Sequence, residues 1–266
     1  MEISPQDFLR LTTFIKSKYG IDLINKQQLV EYRLAYYVEQ NGYKSFGDFL
    51  DAAFSDKSGM EIANIINKLT TNHTYFNRES DHFDHLVKYF LPKMERENTT
   101  RQLCIWSAGC SYGNEPYNVA MFIDDYFGFR KSAWDCKILA TDISLNALDI
   151  AKRGVFTAES VKELPKAWQD KYFTRLKDGS YQVVPKIRQE VVFRYHNLME
   201  PIAFKKTFDL ILCRNVMIYF DEPTTERLCQ RFYENMNHDA FLYIGHTEFI
   251  NNNNFDRVRP AIYRKP

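Results

Sequence analysis

Residues 103–117 constrain this chain more than any other part of its sequence. The apolar run at 103–106 is typical of a buried parallel strand, and small residues follow it, among them Gly109 and Gly113. After Pro116 the apolar residues take helical spacing. A strand, a glycine turn and a helix make up the first unit of a nucleotide-binding α/β fold, in which glycines let a ligand approach the backbone.

The turn itself indicates which ligand to expect. Its pattern is Gly109-x-x-x-Gly113 with no Lys-Ser/Thr after it, so it is neither the dinucleotide fingerprint nor a P-loop. Glu115 stands where a pyrophosphate would meet the start of the helix, and a carboxylate there repels phosphate and attracts a cation. This favours a nucleoside with an amino group, and S-adenosylmethionine (SAM), with its ammonium and sulfonium, is the foremost candidate. A plain turn with an exposed Glu115 is the alternative that the loop alone leaves open.

Composition excludes several classes of protein. A net charge of +1 over 266 residues argues against a large nucleic-acid-binding face. No run approaches the roughly 18 apolar residues of a membrane span, and the first residues lack the features of a signal peptide, so we expect a cytoplasmic protein that is not inserted in a membrane. The five cysteines include no C-x-x-C pair, which predicts reduced core residues and no metal site.

The chain divides into a helical part and an α/β part. Up to about residue 70 the pattern predicts four helices and no strand, which gives a helical domain at 1–75. From 76 to 266 apolar strands at 103–106, 136–141, 191–196, 208–213 and 240–244 alternate with helices, as a doubly wound, mostly parallel sheet requires. The turn at Asp178-Gly179 predicts a hairpin, within a small antiparallel β insert at about 170–192. Residues 256–264 predict a last edge strand or hairpin.

Polar residues follow four of these strands: Gly109, Asp142, Asn197 and the pair Arg214-Asn215. Ligands of open α/β sheets bind outside the carboxyl ends of the strands, so these residues predict a nucleoside site. Asp142 is placed to accept both ribose hydroxyls. It could instead cap the next helix, although Ser144 could also serve as the cap.

Six motifs in order resemble the CheR-type chemotaxis receptor methyltransferases. They are Asn72-x-Thr74-x-x-x-Arg78, Ser-Ala-Gly-Cys-Ser-x-Gly-x-Glu-Pro-Tyr at 107–117, Ala-Thr-Asp-Ile-Ser at 140–144, Asn197-Leu198, Cys-Arg-Asn-Val-Met-Ile-Tyr-Phe at 213–220, and Gly245-His246. The resemblance covers nearly the whole chain. It implies a helical N-terminal domain and a SAM-binding α/β domain of the SAM-methyltransferase type with a small inserted β subdomain.

The resemblance also implies an activity and a set of site residues. The activity is methyl transfer from SAM to glutamate side chains on the cytoplasmic helices of chemoreceptors, which yields methyl esters, and methyl-accepting chemoreceptor cytoplasmic domains are then the partners. The residues themselves do not determine the oligomeric state, and we expect a monomer. Carried over by position, the cofactor contacts fall on Asn72, Thr74, Arg78, Glu115, Asp142, Asn197, Leu198, Arg214 and Asn215, beside Gly109 of the turn. The active-site pair falls on Arg78 and Tyr219.

Other interpretations of the same residues remain at this point. The chain could be a SAM enzyme acting on RNA or a small molecule, although the net charge disfavours RNA. It could be a SAM-binding signalling module of the same fold with little or no transferase activity. An NAD enzyme fails on the missing G-x-G-x-x-G. On spacing alone, Arg78 could be a solvated surface residue and Tyr219 a core residue.

Overall fold

A computed structural model describes residues 1–251 and 254–266. The chain begins with four helices, α1 (Pro5–Tyr19), α2 (Gln27–Gln40), α3 (Phe46–Ser55) and α4 (Met60–Leu69). The hydroxyl of Ser4 caps α1, and Gly20 ends it in the left-handed conformation, φ 75°. The inward faces of the helices share one apolar core, against which Tyr219 and Phe220 also pack. The helical module therefore packs against the loop that contains Tyr219 and Phe220, which follows the strand at 208–213.

An aromatic-rich helical stretch precedes the sheet. It consists of α5 (Asp81–His85), one π-helical turn (Leu86–Phe90) and α6 (Leu91–Glu97). Pro92, in the first turn of α6, has no N–H to donate. The π turn shifts the hydrogen-bond register just before that position, so the helical path continues past the proline.

The remaining helices alternate with ten strands. The helices are α7 (Asn114–Phe127), α8 (Leu145–Arg153), α9 (Ala158–Val161), α10 (Lys166–Tyr172), α11 (Pro185–Arg188) and α12 (Glu222–Glu234), with 3-10 turns at Gly128–Ala133 and Met217–Tyr219. The strands are β1 (Ile105–Ala108), β2 (Ile138–Asp142), β3 (Val155–Phe156), β4 (Phe173–Arg175), β5 (Tyr181–Val183), β6 (Val191–Tyr195), β7 (Phe208–Cys213), β8 (Met236–Ile244), β9 (Asp256–Arg259) and β10 (Ile262–Arg264).

Seven strands form the main sheet in the order β6-β2-β1-β7-β8-β10-β9. The five from β6 to β8 are parallel, and the β9–β10 hairpin adds an antiparallel edge. Strand β8 begins earlier than the predicted start at 240, because Met236 pairs with Phe208 before the register shifts and Leu210 pairs with Phe241. The chain leaves β1 on one side towards β2 and returns on the other side at β7, so the order reverses at β1. Such a reversal opens a crevice at the carboxyl ends of the strands.

The predicted β insert needs correction in its extent. The small antiparallel sheet has the order β3-β5-β4, so it recruits Val155–Phe156, which lies upstream of the expected 170–192. The two-residue strand β3 is too short to produce a sequence pattern, and only its pairing with β5 defines it. At the other end, Val191 and Val192 belong to β6 of the main sheet.

Apolar side chains cover both faces of the main sheet. One core packs α5 to α7 and the small sheet against one face, and a second core packs α12 against the other. Trp106 is fully buried in the second core, and its indole N–H donates to Thr141 Oγ1 at 2.9 Å. The predicted doubly wound fold is confirmed. Among helices within the described ranges, none combines the length and apolar character needed to cross a membrane.

Candidate active site

A cleft opens where the carboxyl ends of the parallel strands face the helical module. Its walls come from the module (Tyr19, Ile21), the polar linker at 70–78 and the loops that follow β1, β2, β6 and β7. All the residues predicted for the site line this cleft: Asn72, Thr74, Arg78, Gly109, Glu115, Asp142, Asn197, Leu198, Arg214, Asn215 and Tyr219. The structure therefore brings together residues that are spread along the sequence from Asn72 to Tyr219.

The glycine turn lets two loops approach each other closely. Gly109 has φ 85°, and a Cβ atom there would lie 2.4 Å from Val216 Cγ2 in the loop after β7. The amides of Gly109 and Cys110 both donate to the Thr141 carbonyl at the end of β2. Only glycine meets both the steric and the conformational demand, so this turn sets the floor of the cleft.

Asp142 holds the glycine turn from the side of β2. Its carboxylate accepts from the amide of Ser111 at 2.7 Å and from the amide of Ser144 at 2.8 Å. Burial raises the pKa of this carboxyl, and the two amides partly offset that effect. The cap of α8 is Ser144, whose hydroxyl accepts from the Ala147 amide. Asp142 therefore bridges two loops at the cleft, and its oxygens can accept further hydrogen bonds there.

A buried guanidinium joins two carboxylates beside the turn. Arg214 Nη1 lies 2.9 Å from Glu115 Oε2, and its Nη2 lies 3.2 Å from Glu79 Oε2. Nη2 also donates to the Arg78 carbonyl, and the hydroxyl of Ser107 donates to Glu115 Oε1 at 2.7 Å. The alternative of a plain turn with an exposed Glu115 does not hold, because this side chain is only 13% exposed. Two carboxylates share one guanidinium, which leaves an excess of negative charge for a cationic ligand.

Asn215 sits in a strained backbone position beside that cluster. It has φ 58°, and its amide donates to Glu248 Oε2 at 2.9 Å. Its Nδ2 donates to Glu79 Oε1 at 3.2 Å, while its buried Oδ1 has no partner among the described residues. Residues with φ > 0 other than glycine concentrate at functional sites, and this one is held by two acids from other segments.

Sequence reasoning missed three residues of this region: Glu79, His196 and Glu248. Glu79 directly follows the Arg78 motif, so its position next to that motif was the only signal available. His196 lines the cleft, and its Nε2 has no partner in the described part of the chain. Glu248 accepts from the amides of Asn215, Gly245 and Ile218. Burial raises the pKa of its carboxyl, and these amides offset part of that rise.

Arg78 and Tyr219 lie on the wall of the cleft, both half-buried. Arg78 Nη1 donates to the His73 carbonyl at 2.7 Å, and its guanidinium lies 5.7 Å from the centre of the Tyr75 ring. Within residues 1–251 and 254–266 no carboxylate is in ion-pair range of Arg78, and the Tyr219 hydroxyl has no hydrogen bond. Both groups are therefore available to a ligand.

The lining fits SAM on chemical grounds. Three residues of the lining each carry a buried polar atom that has no partner among the described residues: Ser111 Oγ, Asn215 Oδ1 and His196 Nε2. Apolar side chains such as Leu198 and Val216 alternate with them and can contact a base. The excess of acid beside Arg214 suits an ammonium or a sulfonium. Ligands of mixed apolar and cationic character, rather than phosphates, match such a surface.

A doubly wound sheet with an acidic, glycine-bordered cleft at its carboxyl edge is typical of the SAM-dependent methyltransferase class. Two family models then place the chain within that class. "CheR methyltransferase, SAM binding domain" matches residues 72–262, and "CheR methyltransferase, all-alpha domain" matches residues 6–70. The chain belongs to the CheR methyltransferase family.

Relatives match the chain over most of its length. A chemotaxis protein methyltransferase of Borreliella burgdorferi is 38% identical, and the match covers 100% of this chain and 96% of the relative. Chemotaxis protein methyltransferase 2 of Vibrio cholerae is 36% identical over 92% of this chain and 86% of its own length. The Escherichia coli chemotaxis protein methyltransferase is 33% identical over 93% and 86%, respectively. The family models and these relatives together confirm the predicted family, the SAM cofactor and the methyltransferase class.

Proposed function

We propose that this enzyme methylates glutamate side chains on the cytoplasmic helices of chemoreceptors and so forms glutamate methyl esters. The names of the relatives, which are chemotaxis protein methyltransferases, support a role in chemotaxis. The observation that carries the proposal is the half-buried guanidinium of Arg78 on the cleft wall, with no carboxylate partner among the described residues. A carboxylate substrate would supply that partner.

The reaction needs positioning more than proton transfer. When bound, SAM supplies the methyl group from its sulfonium. A glutamate carboxylate is ionised at pH 7, so the chain needs no general base to prepare the attacking oxygen. One carboxylate oxygen gains the methyl group as the carbon–sulfur bond breaks, and the opposite charges of the reactants cancel. The helical module and the linker form walls of the cleft. With the reactants bound, these walls would exclude water from them and so strengthen the orienting contacts.

Arg78 and Tyr219 are the residues that we place against the substrate. A guanidinium can hold a carboxylate by two parallel hydrogen bonds, which would fix one oxygen in line for attack. The Tyr219 hydroxyl, on the same wall, would donate to the other oxygen or to the backbone of the receptor helix. The linker residues Asn72 and Thr74 would close the cleft over the reacting groups.

The remaining predicted contacts would hold the cofactor. Glu115 and the free Oδ1 of Asn215 would accept from the ammonium, with Arg214 near the carboxylate of SAM. Asp142 would accept from the ribose hydroxyls, and Leu198 would contact the adenine. Gly109, which lines the cleft where the turn packs against Val216, would lie beside this ligand.

A labelled-methyl assay tests the substrate. The purified protein is incubated with methyl-labelled SAM and membranes that bear methyl-accepting chemoreceptors. Label should appear on the receptor, be released by base, and map to glutamate by mass spectrometry. Base-stable label, or label on RNA or a small molecule instead of the receptor, would overturn the proposal.

Arg78→Ala tests the role of the guanidinium in the same assay. We expect turnover to fall by about a hundredfold or more, since both orientation and charge compensation are lost. The thermal midpoint should stay unchanged, because Arg78 has no buried ion pair among the described residues. Arg153→Ala, at an exposed arginine on α8, is the matched control and should keep full turnover.

A further inference from the structure

We infer that Glu79, which lines no part of the cleft itself, is a positioning residue that presets Arg214 and Asn215 for the ammonium-bearing end of SAM. The inference rests on the cofactor contacts proposed above for Glu115 and Asn215, and it is independent of which substrate receives the methyl group.

The side chain of Glu79 ties together three segments that are distant in sequence. Oε2 accepts from Arg214, and Oε1 accepts from Asn215 Nδ2 and from the backbone amide of His246, both at 3.2 Å. The loops after β7 and β8 are thus fastened to the linker by one carboxylate that is only 12% exposed. Its backbone is left-handed, φ 54°, and such a conformation persists only where surrounding contacts enforce it.

Glu79 sets the charge that reaches the cofactor. Burial alone would raise its pKa, but Arg214, the His246 amide and Asn215 outweigh burial and lower it, so the group is ionised. Arg214 therefore divides its charge between Glu79 and Glu115. Without Glu79 the guanidinium would pair with Glu115 alone, and that carboxylate would attract the ligand's ammonium less strongly.

Glu79 also fixes the orientation of the Asn215 amide. Because a carboxylate only accepts hydrogen bonds, the Nδ2 end must face Glu79, and the Oδ1 end is left over as an acceptor. A buried amide oxygen without a partner beside an acidic cluster is arranged for a donor such as an ammonium. The carboxylate behind it keeps the amide from turning over.

The same contacts hold the neighbouring Arg78. The Arg78 carbonyl accepts from Arg214 Nη2, the atom that also contacts Glu79. The linker is thereby docked on the end of β7 at two consecutive residues. The Arg78 side chain then leaves a fixed backbone and reaches the cleft wall.

A metal ion is the rival explanation for this carboxylate. Glu79, His82 and His246 offer ligand atoms within 4.8 Å of one another. Arg214 Nη2 lies 3.2 Å from Glu79 Oε2, the same oxygen that lies 3.5 Å from His82 Nδ1, so a cation bound there would face the positive charge of the guanidinium. The charges thus favour the arginine as the partner of Glu79.

Calorimetry with two ligands tests the inference. Glu79→Gln keeps the size of the side chain and removes its charge. We expect SAM to bind about tenfold or more weakly, the scale of a lost charge-assisted hydrogen bond. 5′-Methylthioadenosine, which lacks the ammonium and carboxylate, should bind the variant as tightly as the wild type. Glu159→Gln, at a side chain that is 77% exposed, should change neither affinity.

Glu79→Asp retains the charge one methylene further away, and it should give a SAM affinity between those of the wild type and Glu79→Gln. If Glu79→Gln fails to fold, the ratio of the two ligand affinities in Glu79→Asp decides the matter. An equal loss for both ligands, or no loss for SAM, would overturn the inference. Tight binding of zinc chloride by the wild type that is lost in Glu79→Gln would overturn it too, since the carboxylate would then serve a metal.

Discussion

The side-chain amide of Asn197 donates a hydrogen bond of 2.7 Å to the backbone carbonyl oxygen of Lys18. The bond joins the loop after β6 to the last turn of α1, across 179 residues of sequence. Asn197 Oδ1 accepts from the Met199 amide at 3.0 Å, so the side chain shapes its own loop as well. An amide nitrogen has two hydrogens, and Asn197, which lines the cleft, uses only one of them within the described residues. A residue predicted as a cofactor contact therefore also couples the cofactor site to the helical module.

Asn197→Ala should weaken both folding and cofactor binding. The lost bond to Lys18 is expected to lower the free energy of unfolding by about 1 kcal/mol. SAM affinity should fall as well, because the module forms one wall of the cleft. Urea denaturation and calorimetry measure the two effects. Asn41→Ala removes a comparable bond, Nδ2 to the Tyr37 carbonyl at 2.8 Å, outside the cleft, and should leave SAM affinity unchanged. Equal SAM affinities for wild type and Asn197→Ala would contradict the coupling.

The sequence predicted the parts of the site that local patterns encode. Buried parallel strands are continuous apolar runs, so the ends of β1, β2 and β7 could be located, and with them Gly109, Asp142 and Arg214. The edge strand β6 is mostly exposed, and the apolar residues at 191–193 located it and Asn197 after it. Parallel order places those ends on one edge of the sheet. The structure shows them around one cleft.

What the sequence could not predict depends on contacts between distant segments. Glu248 is an ordinary acid in a loop until its carboxylate meets the amides of Asn215 and Ile218. The strand β3 is two residues long and exists only through its pairing with β5. The sequence predicted that Glu115 would bind a cationic ligand, but it did not predict the ion pair of Glu115 with Arg214. That contact spans 99 residues, and no local pattern reveals it.

Gly109→Ala should lower the free energy of unfolding by more than Gly179→Ala does. Gly109 and Gly179 share φ 85°, but a Cβ at Gly179 would meet nothing within 4 Å, whereas one at Gly109 would meet Val216 at 2.4 Å. Gly179→Ala should therefore cost about 1–2 kcal/mol of backbone strain. Gly109→Ala should cost about 1–3 kcal/mol more for the clash.

Urea denaturation measures both variants, and a second substitution separates clash from strain. Gly109→Ala combined with Val216→Ala should recover much of the additional loss, since the obstructing methyl group is gone. SAM binding by the double variant should also exceed that of Gly109→Ala alone. Equal stabilities for the Gly109 and Gly179 variants would show that the loops separate without cost.

His82 should make folding sensitive to acid. Its ring is fully buried and stacks on Tyr243 with centroids 5.3 Å apart. Burial, followed by the charge of Arg214, lowers its pKa from 6.5 to about 2. The unfolded chain takes up this proton below about pH 6.5 and the folded chain only near pH 2. The free energy of unfolding should therefore keep the whole contribution of the neutral His82 above pH 6.5, and it should decrease as the pH drops below 6.5.

His82→Phe tests that dependence because it keeps a stacking ring and removes the titrating group. Urea denaturation at pH 7.5 and pH 5.0 should show a smaller difference in the variant than in the wild type. His238→Gln, at a side chain that is 81% exposed, should retain the wild-type difference. A wild-type slope that survives in His82→Phe would assign the acid sensitivity to other groups, His85 first among them, since burial lowers its pKa to about 4.

Tyr219→Phe should separate the hydroxyl of this residue from its ring. The ring packs against the core of the helical module, while the hydroxyl has no hydrogen bond within the described residues. Stability and SAM affinity should therefore stay near wild type, and the methyl-transfer rate should fall by about ten- to a hundredfold if the hydroxyl orients the acceptor carboxylate. Tyr233→Phe is the matched control. Tyr233 packs against the second core, beside α12, and its substitution should leave the rate unchanged. Full turnover by Tyr219→Phe would show that the hydroxyl has no role in methyl transfer. Tyr219 would then act only through its ring, which packs the helical module onto the cleft.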